Sequence, residues 1–315
     1  MKTLTKIIKA VSAAAIALTL TACGSSSSQG SGSKPSEPIK IGIPDDATNG
    51  GRAIKLLEKA GLIKVDPAAG WVPEMKDVTE YLYNVEIVPT QANTLPSTLD
   101  DFGASTINGT YAIPIGLVPS KDGLIVEDQA EATNAGEKNP FINIIVARTS
   151  EKDNPVYKTV VDAYNTDYVA QYILAKYLEA SIPAWEWKPT ELTDEQILDE
   201  VDHYESDAAG KTVVKVGVCG ASNDSWRAVQ KILDDNGENI YIDLVRFDAY
   251  TLPNEALNSG EIDLNSFQHY AYLEKEINTQ GYDLTVIGDT SMAPLTLYSK
   301  KFKSVDELKE AAGKK

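Results

Sequence analysis

Apolar positions fall into short continuous runs, separated by polar turns and by stretches of helical period. Lys40-Ile-Gly-Ile43 is one such run. Its continuity predicts a strand buried on both faces. A polar turn follows, then a helix opening at Thr48 or Asn49, both good N-caps, and ending near Gly61. Further runs predict strands at 85–88, 104–107, 141–147, 240–247, 284–287 and 295–298. Helical patterns occupy 95–101, 155–179 with a break near Thr166-Asp167, 253–258 and 267–278. Ser304-Val-Asp-Glu307 has the form of a capping box opening a last helix.

The first strand-loop-helix recurs 175 positions later, where Lys215-Val-Gly-Val218 matches Lys40-Ile-Gly-Ile43 and Arg227-Ala-Val229 matches Arg52-Ala-Ile54. Leu95-Pro96, Gly103 and Ile107-Asn108 share their spacing with Leu252-Pro253, Gly260 and Leu264-Asn265. Two related α/β halves imply two lobes, and ligands of such sheets sit at the carboxyl ends of the strands. Residues 188–212 are acidic and weakly helical, and read as a connector, with His203 solvated inside it.

The N-terminus is of another kind. Lys2, Lys6 and Lys9 precede an apolar run from Val11 to Leu20, the pattern of a secretory signal. The run ends in Leu20-Thr21-Ala22-Cys23, which resembles a bacterial lipobox. The reading is a signal peptide at 1–22, a lipidated Cys23, and a Ser/Gly-rich tether at 23–38. Acyl chains on Cys23 would fasten the protein to the lipid bilayer. The net charge is −17, and removing residues 1–22 takes away three lysines and no acid. That charge disfavours nucleic acid and anionic membrane surfaces as partners. Two histidines and two cysteines at dissimilar places supply no nucleophile–base set and no metal cluster, so no cofactor is expected. Cys219 reads as a small buried hydrophobe.

Candidate chemistry centres on the first loop. Free amides at a helix N-terminus attract an anion, and Arg52 in the first turn can grip a carboxylate with two hydrogen bonds. An ordinary strand-to-helix loop with a surface arginine is the alternative reading of that stretch.

The wider set of motifs resembles the NlpA family of methionine-binding lipoproteins. Thr48-Asn-Gly-Gly-Arg-Ala53, Ser97-Thr-Leu-Asp100, Ile107-Asn-Gly-Thr-Tyr-Ala112 and Lys121-Asp-Gly-Leu-Ile-Val-Glu-Asp128 carry it in the first half. Leu252-Pro-Asn-Glu-Ala-Leu257, Phe267-Gln-His269, Gly281-Tyr-Asp-Leu284 and Tyr298-Ser-Lys-Lys301 carry it in the second. The resemblance implies a two-lobed α/β type II periplasmic-binding-protein fold. It also implies an ABC permease and ATPase complex as partners, a place on the extracytoplasmic face of the membrane, and no enzymatic step. Its order differs from the family's, in which the part like 213–315 precedes the part like 39–188. The chain therefore resembles a circular permutant, with lobe A from 39–118 plus 301–315, lobe B from 138–300, and 189–212 as the new join. Pairing of halves between molecules is the rival explanation, and intrachain closure is preferred because tethering raises effective concentration.

The implied ligand is a zwitterionic amino acid, methionine first. Arg52 would pair with its carboxylate, with Asn49 beside it. Asn108 and Asn143 would bond the head group, and His269 and Tyr250 would face the cleft from the opposite lobe. Phe267 and Tyr272 would wall the side-chain pocket, or simply pack in a core. Two departures stand out. Ala221-Ser-Asn-Asp-Ser-Trp226 replaces the family's Gly-Pro-His loop, and Ala271 replaces a proline. Trp226 is thereby expected in the pocket. A short peptide, another apolar amino acid, or an adhesin role without uptake are the alternatives.

Overall fold

The parallel core strands of both lobes are the continuous apolar runs of the sequence. A computed structural model describes residues 37–128 and 138–315. The signal peptide, Cys23 and all but the end of the tether lie outside the described residues. The strands are β1 (Ile39–Pro44), β2 (Ile63–Val65), β3 (Val78–Tyr81), β4 (Val85–Thr90), β5 (Ala104–Ile107), β6 (Gly123–Val126) and β7 (Ile142–Arg148). Then come β8 (Ile182–Pro183), β9 (Thr212–Cys219), β10 (Ile240–Phe247), β11 (Leu264–Asn265), β12 (Leu284–Met292) and β13 (Thr296–Tyr298).

One sheet has the order β4-β1-β5-β13-β6 and the other β10-β9-β11-β7-β12-β8. In the first, β1 lies parallel between β4 and β5, and β13 is antiparallel to β5 and β6. In the second, β9 lies parallel between β10 and β11, and β7 is antiparallel to β11 and β12. The two sheets thus repeat one plan, as the 175-residue shift implies. Gly42 and Gly217, equivalent under that shift, both sit where an added side chain would crowd a neighbouring one. A Cβ on Gly42 would lie 2.8 Å from Leu95 Cδ2, and one on Gly217 2.5 Å from Ile262 Cδ1. The register corrects the second half of the alignment. Ile41 faces Ala104 while Val216 faces Leu264, so Ala104, not Ile107, is the counterpart of Leu264.

Each sheet takes its antiparallel inner strand from the other half of the chain. The polypeptide therefore crosses between lobes twice, between β6 and β7 and between β12 and β13. This moves two boundaries. β13 belongs to the first sheet, so the second lobe stops before residue 296 rather than at 300, and β6 extends the first lobe beyond 118.

Each lobe has its own core. Ile41, Ile43, Ile54, Leu57, Leu297 and Leu308 are fully or nearly fully buried in the first, and Ile145, Val160, Tyr172, Val216, Val218 and Val229 in the second. The connector reading at 188–212 fails on burial. A helix at Asp194–Asp202 opens with a Thr193/Gln196 capping box. Its Ile197 and Val201 are wholly buried in the second core. The stretch at 95–101 forms turns, not a helix. The predicted 267–278 helix begins later, at Tyr270–Gln280, because His269 caps it.

The ends of the described fold meet on one turn. Ile39 N donates to Asn84 O at 2.9 Å, Asn84 N to Gly313 O at 2.9 Å, and Lys315 N to Leu82 O at 3.2 Å.

Candidate functional site

The first helix places the polar centre of the site. It spans Ala47–Lys59, two residues ahead of the expected start, because Asp46 is the N-cap and accepts from Asn49 N at 2.8 Å. The Asp46 carboxylate also takes both ends of its reach from the Asn49 Nδ2, at 3.1 and 3.0 Å. That fixes the Asn49 amide with Oδ1 inward. Oδ1 then collects donors from three elements: Arg52 Nη1 at 3.3 Å, Asn108 Nδ2 at 2.9 Å and His269 Nε2 at 3.5 Å.

Arg52 is 4% exposed and ion-paired to Glu127. Nε donates to Glu127 Oε1 at 2.9 Å, and Nη2 donates to Glu127 Oε2 and to Ala293 O at 3.1 Å. Phe141 lies under the guanidinium, 4.6 Å from ring centroid to Cζ. The two-pronged face of Arg52 is therefore taken by an internal carboxylate. The expected two-bond grip on a ligand is not what the geometry offers, and a single Nη1 proton remains for it. Glu127 escaped the sequence reading. It stands inside the Lys121–Asp128 motif that carries the resemblance, directly after the apolar Gly123–Val126 strand, but no role was read from it.

His269 is buried at the start of its helix, and Nδ1 accepts from Tyr272 N at 3.2 Å. Nδ1 is thus the unprotonated nitrogen, and Nε2 carries the proton toward Asn49. Burial, reinforced by Arg52, holds its pKa well below the ordinary 6.5. Below 6.5 the unfolded chain binds a proton that the folded chain refuses, so stability falls as pH drops through that range. His269→Gln should flatten this slope. Urea unfolding between pH 7 and 5 should show the parent losing up to about 1.4 kcal/mol per pH unit more than the variant. Equal slopes would contradict a buried neutral imidazole.

Alternation along the strand end explains the Phe-Gln-His motif. Phe267 and His269 turn to the cleft, and Gln268 turns away into a buried amide network with Asn254 and Asn265, at 2.6–3.0 Å. Asn143 sits opposite His269 in an isolated bridge, and its Nδ2 donates to Ser291 O at 2.9 Å. Three rings complete the wall, and Tyr111 packs behind Tyr250. Tyr250 lies 5.1 Å from Tyr111, 6.0 Å from Phe267 and 6.2 Å from Tyr272. Tyr111 comes from the first lobe, was missed in the sequence, and donates across the cleft to Asp248 O at 3.1 Å.

Asn49, Arg52, Asn108, Asn143, Tyr250, Phe267, His269 and Tyr272 line one cavity. Trp226 does not. It is 3% exposed, edge-on to Tyr164 at 5.1 Å, and borders an adjoining chamber instead. Asn108 Oδ1 is buried without a partner among the described residues. A carbonyl oxygen in that position favours an incoming N–H donor, since leaving it bare costs about 1–3 kcal/mol.

Two α/β lobes of one plan, with a cavity lined from both, define a clamshell protein of the periplasmic-binding-protein class. A family model described as NlpA lipoprotein matches residues 36–185 and 214–313, and the chain belongs to that family. It is 38% identical over 148 residues to the D-methionine-binding lipoprotein MetQ of Escherichia coli K12, covering 46% of this chain and 52% of that protein. Outer membrane lipoprotein 3 of Mannheimia haemolytica is 39% identical over 145 residues, again covering 46% and 52%. The chain thus spans about half the length of the curated relatives it matches. Among solved structures, a nutrient binding protein from Burkholderia cenocepacia bound to methionine is 27% identical, with TM-score 0.38 and coverage of 45% and 56%.

Proposed function

We propose that this chain is the membrane-anchored substrate-binding lipoprotein of an ABC importer, and that it captures a zwitterionic amino acid between its lobes. Methionine, which the names of relatives print, is the reference ligand. The observation that carries the reading is the neutral, paired cavity. The Arg52 charge is matched by Glu127, the Asn108 carbonyl is unmatched, and one Nη1 proton is spare. A group bearing one positive and one negative end leaves that balance undisturbed. The ammonium would meet Asn108 Oδ1, with Asn143 beside it. The carboxylate would meet Arg52 Nη1. Tyr250, Phe267 and Tyr272 would bound the side chain, where a thioether gains from ring contacts. Closure across the Tyr111–Asp248 contact would present the loaded shape to the permease and its ATPase. Lipidated Cys23 would hold the protein at the extracytoplasmic face.

Ligand stabilises the fold it binds by mass action, about 2.7 kcal/mol at a hundredfold excess over Kd. Amino acids should therefore raise the melting temperature by roughly 5–10 °C. Asn108→Ala should weaken that binding by at least tenfold. A melting temperature unmoved by any amino acid would favour an adhesin role.

We also infer that the halves stand in exchanged order within one molecule. Three observations support it. The family matches in two blocks separated at 186–213. Alignment to curated relatives runs out at about half of each chain, as a collinear match of exchanged blocks must. Ile39 and Gly313 bond the same residue, Asn84, so a short link between the ends would strain nothing.

A further inference from the structure

The cavity does not end at the head-group site. Gly109, Thr110, Asn143, Phe267 and Ala293 also line a second chamber, which runs under the turn after β9 to Trp226 and Tyr164. We propose that this chamber receives the ligand's side chain and selects one that is uncharged and ends in a carboxamide, as in glutamine. The proposal rests on the amino-acid reading above and revises it in two respects: the side chain passes beyond the Tyr250–Phe267–Tyr272 wall, and glutamine replaces methionine as the preferred ligand.

The lining decides the chemistry. Among the described residues that border the chamber, none is Asp, Glu, Lys, Arg or His. A charged side chain would enter a pocket with no countercharge and lose its hydration. A dipeptide meets the same objection, because its second terminus is ionised. The walls are nevertheless polar, with Thr110, Ser222, Asn223, Ser225, Ser266 and Ser291 among them. An apolar side chain would exclude water from these groups and leave their remaining hydrogen-bonding capacity unused.

The remaining hydrogen-bond capacity has both senses. Asn223 spends its Nδ2 on the Cys219 and Gly220 carbonyls, at 3.3 and 3.1 Å, which turns Oδ1 to other donors. Ser291 Oγ accepts from Ser181 Oγ at 2.9 Å and keeps its own proton to give. The Ser266 hydroxyl is a further donor on the same wall. A carboxamide offers an NH₂ to the first and a carbonyl oxygen to the others. A thioether offers neither donor nor strong acceptor. The lobes close tightly over this chamber. A Cβ on Gly220, whose φ is +73°, would lie 2.6 Å from Thr110 O, so the two loops meet with no room for a side chain between them.

Isothermal titration of the full-length protein in detergent tests this, using both enantiomers of glutamine, methionine and glutamate, and glycyl-methionine. Glutamine should bind at least tenfold tighter than methionine and at least tenfold tighter than the isosteric glutamate. Ser266→Ala should reduce the glutamine-to-methionine preference at least fivefold. Methionine, glutamate or the dipeptide binding as tightly as glutamine would overturn the chamber's role while leaving a binding cleft in place. An unchanged preference in Ser266→Ala would overturn it too. Heat from none of these ligands would overturn the amino-acid reading itself, and this inference with it.

Discussion

Arg52→Met, with Glu127 left in place, is expected to cost the fold about 3–5 kcal/mol, because it strands a mostly buried carboxylate without its cation. The melting temperature should fall by roughly 6–15 °C. Ligand binding should be lost as well. The two losses have different causes, and a second variant separates them. In Arg52→Met/Glu127→Leu both charges are gone and apolar groups fill their volume. Such replacements of buried pairs are commonly neutral or stabilising. Most of the melting temperature should return, and amino-acid binding should not. Differential scanning calorimetry and titration of the two variants check this. A single variant that melts within about 2 °C of the parent would mean that the Arg52–Glu127 pair, with both bonds to the carboxylate, is not what holds this corner of the cleft. A double variant that still binds would remove Arg52 from the site altogether.

The second large effect is expected far from the cavity. Ile197→Ala should destabilise by about 2–5 kcal/mol, the usual cost of truncating a wholly buried isoleucine. Ile197 and Val201 pack into the core of the second lobe from a helix whose ends are fastened by side chains. Gln171 Nε2 donates to Asp194 at 3.1 Å at one end, and Tyr172 Oη donates to Asp202 at 2.8 Å at the other. Chemical denaturation measures the cost. A change within about 0.5 kcal/mol, typical of surface positions, would return the segment to the status of a loose connector.

The parallel strands were legible because strands covered on both faces must be apolar throughout, as Lys40-Ile-Gly-Ile43 and Lys215-Val-Gly-Val218 are. The repeat was legible for the same reason, together with the paired glycines. The helix at Asp194–Asp202 was not legible as core. It shows only two buried side chains per three turns against an acidic outer face, and that pattern also describes a solvated linker. The start of the first helix was misplaced by two residues because Asp46, Thr48 and Asn49 are all good caps, and only the bond from Asn49 N to Asp46 chooses among them. The named site residues other than Trp226 do share a cavity, since each sits at a strand end or helix start facing the cleft. Glu127 and Tyr111 were hidden because their partners, Arg52 and Asp248, are 75 and 137 residues distant in sequence. Trp226 borders the adjoining chamber rather than the head-group cavity. Its helix carries it toward Tyr164, on the second lobe's own side.

The turn at Tyr83–Asn84, which clasps both Ile39 and the stretch from Gly313 to Lys315, also decides which jaw is leashed. Whatever precedes Ile39 is covalently continuous with β1, and so with the first lobe. With the blocks in the other order, the same leash would lead into β9 and hold the opposite jaw. In a lipid-anchored protein with this chain order, the first lobe would be the one joined directly to the tether. The lobe bearing His269 would then stand one step further from the bilayer, joined to it only through the first.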